Sequence, residues 1–76
     1  MEIGMRASTL RAALGQATGA RVRVERTAPG IVRLIAAAPT EIDRWPEVLE
    51  VIQAGRTWGS MDATGEVRVW TEVEEP

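Results

Sequence analysis

Shifted by 35 residues, this chain lays one pattern of helix, strand, turn and strand over a second. In the first passage, apolar positions Leu10, Ala13, Leu14 and Ala17 precede the runs RVRVER, TAPG and IVRLIAAA. In the second, Trp45, Val48, Leu49 and Ile52 precede TWGSM, DATG and EVRVWTEV. Both sets have the i, i+3, i+4, i+7 spacing that gathers apolar side chains on one helical face. Both turns end in glycine between β-prone runs, which is how short hairpins read. At the same offset Leu14 falls on Leu49, Arg21 on Arg56, Ala28 on Ala63, Gly30 on Gly65, Val32 on Val67 and Arg33 on Arg68. A repeated unit restricts the available folds more than any single segment can.

The αββαββ order has an economical solution: an α+β domain whose four-stranded antiparallel sheet carries both helices on one face. This tandem αββ-αββ arrangement is a circular permutation of the ferredoxin-like plait, with the second strand of each hairpin at the centre. The pseudo-repeat covers residues 8–38 and 43–73 of a single domain, 1–76, with an acidic tail at 72–76. Ser8 or Thr9 is expected to cap the first helix and Gly19 to end it. Asp43 is expected to cap the second, with Pro46 in the first turn, where its missing N–H costs nothing, and Gly55 closing it. MEIGMR is expected to form a short edge strand or to hang loose.

The turns set the strand register, and the register decides which residues share a face. In DATG, Asp62 suits the acceptor position of a type I turn and Gly65 the following positive-φ position. A three-residue loop with a glycine bulge then sets Asp62 opposite Glu66 and Trp58 directly across from Trp70. Ser60, Arg68 and Glu72 share their face, while Met61, Val67, Val69 and Val73 turn to the helices, with Gly59 leaving room for a helix. The same rule on the first hairpin turns Val22, Val24, Val32, Leu34 and Ala36 inward. It turns Arg21, Arg23, Glu25, Arg33 and Ile35 outward. Trp45 is expected in the core.

Size and composition narrow the function. A chain of 76 residues buries only roughly 60–65% of its unfolded surface, so covering an exposed face with a partner would stabilise it. Cysteine and histidine are absent, which removes thiolate nucleophiles, Cys-ligated zinc, the usual general base and the commonest metal ligand. Lysine and tyrosine are missing as well. General acid–base work would fall to carboxylates such as Asp43, Asp62 and Glu66, which caps and turns explain better. Glu47 and Glu50 alone make a poor metal site. The sequence therefore points away from an enzyme, a metal or a cofactor. No apolar run reaches the roughly 20 residues that span a bilayer and no signal peptide is evident, so a soluble cytoplasmic protein is expected.

Net charge is −2, but residues 1–40 carry +4 and residues 41–76 carry −6. One reading is a solvated acidic tail; the other is two halves that attract each other or the opposite half of a second copy. Tryptophan and arginine are the residues most enriched at binding hot spots. The expected site is thus the open sheet face, formed by Trp58, Trp70, Arg68, Arg33, Ile35, Arg23 and Arg21. The expected function is a small protein–protein interaction module, self-associating through that face. Aromatic and arginine side chains on an open sheet also suit single-stranded nucleic acid, the alternative partner. The negative net charge counts against it.

Overall fold

Helix α1 occupies Met5–Thr18 in the computed structural model, which describes residues 4–63 and 65–75. It begins before the expected Ser8 or Thr9 cap. Gly4 takes the N-cap position, and the Thr9 hydroxyl donates back to the Met5 carbonyl at 2.9 Å. A threonine bonded this way is an interior helical residue and not a cap. The longer helix adds Ala7 to the buried face beside Leu14 and Ala17, with Leu10 packed at its margin. Gly19 ends the helix as expected, its N–H donating to the Gly15 carbonyl. Met5 and Arg6 of the MEIGMR segment are helical, and its first three residues lie outside the described ones.

Strands β1 (Arg23–Ala28) and β2 (Ile31–Ala37) form the first hairpin. A 3-10 turn (Ile42–Arg44) leads into α2 (Trp45–Gln53), followed by β3 (Thr57–Ala63) and β4 (Glu66–Glu74). The four-stranded sheet is antiparallel throughout in the order β1-β2-β4-β3, so β2 and β4 lie at its centre. Leu14 of α1 and Val48 and Ile52 of α2 join Val32, Leu34, Ala36, Val69 and Val73 in one buried cluster on one side of the sheet. Trp45 packs against that cluster, as expected. Thr71, fully buried among these apolar groups, donates its hydroxyl to the Ile52 carbonyl at 2.8 Å. That bond satisfies both groups and ties the end of α2 to the central strand.

The second helix departs from expectation in two ways. Asp43 lies in the 3-10 turn and Arg44 takes the N-cap position without a side-chain cap bond. Leu49 is 38% exposed, and Val51 packs against the core from the same helix. The helix is rolled so that its contact face runs through Trp45, Val48, Val51 and Ile52. Leu14 and Leu49, equivalent in the sequence repeat, thus occupy unlike environments.

The first hairpin has the expected register, with Arg23 opposite Ile35, Val24 opposite Leu34 and Glu25 opposite Arg33, and a bulge between Arg26 and Ala28. The second does not. Ala63 opposes Glu66, Asp62 opposes Val67, Gly59 opposes Trp70 and Trp58 opposes Thr71. Two residues, not three, separate the paired strand ends, and a one-residue slip reverses every side chain of β3. Trp58 and Ser60 therefore point to the helix side and Met61 to the open side. The paired tryptophans expected from the sequence do not form. Gly65 has φ 77°, while Thr64 lies outside the described residues. Gly65→Val should cost at least about 1 kcal/mol, because a β-branched residue is strained at positive φ. A urea midpoint equal to the parent's would show that this turn tolerates a side chain.

The acidic end of the chain is not a solvated tail. Glu72, Val73 and Glu74 belong to the central strand β4, and Val73 is in the core. Glu75 donates its N–H to the Gly30 carbonyl at 2.7 Å, and its carboxylate meets the Gly4 N–H and the Arg26 guanidinium. Pro76 lies outside the described residues. Among the described residues no helix is long and apolar enough to cross a membrane.

Candidate interaction surface

Alternation along the strands sends half of their side chains away from the helices, onto a face covered by no helix or strand among the described residues. Cross-strand pairing arranges that face in rows. Arg23, Ile35, Trp70 and Gly59 form one row, and Glu25, Arg33, Glu72 and Thr57 the next. Ala37, Arg68 and Met61 form a third on the other side of Trp70.

Trp70 is the centre of this surface. Its indole lies against Gly59, where a Cβ would stand only 3.0 Å from the ring. The Arg33 guanidinium sits over the same ring, 4.8 Å from its centroid, a cation–π geometry. Ile35, the cross-strand neighbour of Trp70, is only 7% exposed although it is on the open side. Trp70 itself remains half-buried.

Arg33 is held by Glu72, whose Oε2 accepts from Nε at 3.1 Å and from Nη2 at 2.8 Å. Thr57 donates to Glu72 Oε1 at 2.8 Å, and Thr27 to Oε2 at 3.4 Å. The two charged side chains are 31% and 17% exposed, so the pair is better shielded than an ordinary surface ion pair. Hydrogen bonds from the Thr57 hydroxyl and the Arg33 guanidinium hold the Glu72 carboxyl below the usual carboxylate range.

Beside this platform, Arg21, Arg23 and Arg68 border a depression of about 220 Å³ floored by Ile35 and Ala37, with Glu66 at its rim. Arg23 pairs with Glu25 at 3.2 Å and Arg68 with Glu66 at 3.5 Å. Both contacts are exposed enough to be exchanged for others at little cost.

Trp70, Arg33, Ile35, Arg23 and Arg68 thus share the open face, and Arg21 reaches its margin from just before β1. Trp58 is the residue displaced from the expected site: it stands on the helix side of edge strand β3, 45% exposed. Three residues outside the expected site complete the platform: Glu72, Thr57 and Gly59. Glu72 is two residues from Trp70 and so shares its face in any register. Its contact with Arg33 depends on β2 lying beside β4, which the local pattern does not specify. Among the described residues no three His, Cys, Asp or Glu side chains come together to hold a metal ion. Compared with known protein families, curated proteins and solved structures, the chain matches none.

Proposed function

We propose that this chain is a small protein–protein interaction module whose contact surface is the open sheet face. The observation that carries the reading is the Gly59–Trp70–Arg33–Glu72 stack, which holds an aromatic anchor in place before any partner arrives. Preordering an anchor lowers the entropy lost on binding, and Trp and Arg anchors dominate interface energetics. The partner that fits lays an apolar side chain on Trp70 and places a carboxylate in the depression between Arg21, Arg23 and Arg68.

Self-association through this face is less well supported than the sequence suggests. Arg33 of the basic half and Glu72 of the acidic half are paired within one chain at 2.8 Å, which leaves that pair satisfied without a second copy. Trp58 is on the other side of the sheet. A different protein is therefore the better occupant. Single-stranded nucleic acid is disfavoured for a related reason: stacking modules offer successive bases several exposed rings, and one partly covered ring remains here. The order β1-β2-β4-β3, with a helix ahead of each hairpin, supports describing the fold as a permuted ferredoxin-like plait built from a tandem unit.

Capture from a lysate of the native host, with immobilised parent and Trp70→Ala proteins, tests the reading. The parent should retain a protein that Trp70→Ala binds on the order of 2 kcal/mol more weakly, roughly 30-fold. Identical captured sets would sink the proposal, as would tight binding of mixed RNA or DNA pools with a steep salt dependence.

A further inference from the structure

The two edges of the sheet are built differently. β1 carries Arg23, Glu25 and Arg26 within six residues, and its register breaks between Arg26 and Ala28. Charges and bulges are the devices by which sheets keep an edge from pairing. β3 has neither defence to the same degree. Thr57–Ala63 runs in unbroken register against β4, contains no proline and carries one charge, Asp62. Among the described residues no strand pairs with its outer side, which leaves a row of backbone donors and acceptors available. Trp58 stands half-exposed on that edge.

We propose that β3 pairs antiparallel with β3 of a second copy about a twofold axis at Gly59, giving one eight-stranded sheet. Charge complementarity selects this occupant and this register. Arg56 and Asp62 lie three residues to either side of Gly59 and have opposite signs. In self-pairing centred on Gly59, Arg56 of each copy comes opposite Asp62 of the other, Trp58 opposite Ser60 and Thr57 opposite Met61. The two Trp58 side chains become diagonal neighbours across the axis, a separation aromatic rings can bridge. Arg56 contacts Glu74 of its own chain at 3.4 Å, but both side chains are more than half exposed. That contact contributes little and is readily exchanged for Asp62 of the second copy. The axis runs perpendicular to the sheet, so both open faces point the same way and present two Trp70 platforms side by side. Two linked platforms raise the avidity for any partner that can reach both.

Sedimentation at tens of micromolar chain tests the pairing. The parent should be a dimer. Asp62→Arg and Arg56→Glu alter exposed positions, and circular dichroism should show both variants folded. Each sets like charges against each other and should raise the dimer dissociation constant roughly tenfold or more. An equimolar mixture of the two should recover the dimer, because both contacts of the mixed pair are again between opposite charges. A monomeric parent, a mixture that stays monomeric, or variants that dimerise as tightly as the parent would each overturn the pairing. This inference goes beyond the open-face reading and fails separately from it: Trp70→Ala should lose the captured protein yet remain dimeric. Loss of the dimer in Trp70→Ala would place self-association on the open face instead.

Discussion

Replacing Gly55 by Val should cost about 3 kcal/mol, at the upper end of overpacking penalties. The sequence suggests that this glycine stops α2, but Ala54 already ends the helix in an ordinary right-handed conformation. What requires glycine is proximity to the central strand. A Cβ at residue 55 would overlap the Thr71 Oγ1 and press on the Glu72 carbonyl. Both neighbours are committed: Thr71 donates to the Ile52 carbonyl, and the Glu72 carbonyl accepts the Arg56 N–H at 2.7 Å. Neither can yield without breaking a hydrogen bond, and the Thr71 bond is buried. A chain of this length is expected to have only about 4–11 kcal/mol of stability, so the loss is a large share. Urea titration should show a lower midpoint with an unchanged slope. A midpoint equal to the parent's would mean that the α2–β3 connection is not pressed against β4.

Glu72→Ala should destabilise the domain by about 1–3 kcal/mol, towards the lower value because both partners keep some contact with solvent. The variant leaves Arg33 without its carboxylate and the Thr57 hydroxyl without its acceptor. It also frees the guanidinium that covers Trp70, so indole fluorescence should change together with stability. The pH dependence follows from the same contacts. Because Thr57 and Arg33 lower the Glu72 pKa in the folded protein, the unfolded chain binds this proton more readily. The resulting stabilisation is fully present above the ordinary carboxylate pKa and is lost as pH falls through the lowered folded value. Glu72→Gln should therefore be less stable than the parent at neutral pH and lose less on acidification. Parallel declines for the two proteins would show that Glu72 does not titrate at a depressed value.

Much of the architecture was legible because it depends on local periodicity. The apolar positions of α1 and the alternation in RVRVER and IVRLIAAA each report one face without reference to the rest of the chain. The hairpin around TAPG was readable for the same reason, and its register places Val24, Val32 and Leu34 against the helices. Five of the seven expected site residues share the open face: Arg23, Arg33 and Ile35 lie on the first hairpin, whose register was readable, and Arg68 stands two residues before Trp70 on β4. Leu49 departs from the burial its spacing predicts because a nine-residue helix can roll by a fraction of a turn and still bury an apolar stripe. Val51 packs against the core in its place.

The sequence by itself determined an α+β chain of two helices and two hairpins, lacking the side chains for thiol, imidazole or amine chemistry and holding its aromatic content in three tryptophans. It did so through composition and through periods of two and three to four residues, which are properties of short segments. Only the tertiary structure decided which tryptophan belongs to the open face. Both registers of the second hairpin are compatible with DATG, since a loop of two residues and a bulged loop of three can each use Gly65. The choice appears in the packing around the loop: β4 sets Val69, Thr71 and Val73 opposite Ala36, Leu34 and Val32 of β2, and Gly59 lies across from Trp70 to receive its ring. A shift of one residue in β3 would place Trp58 where that ring now lies.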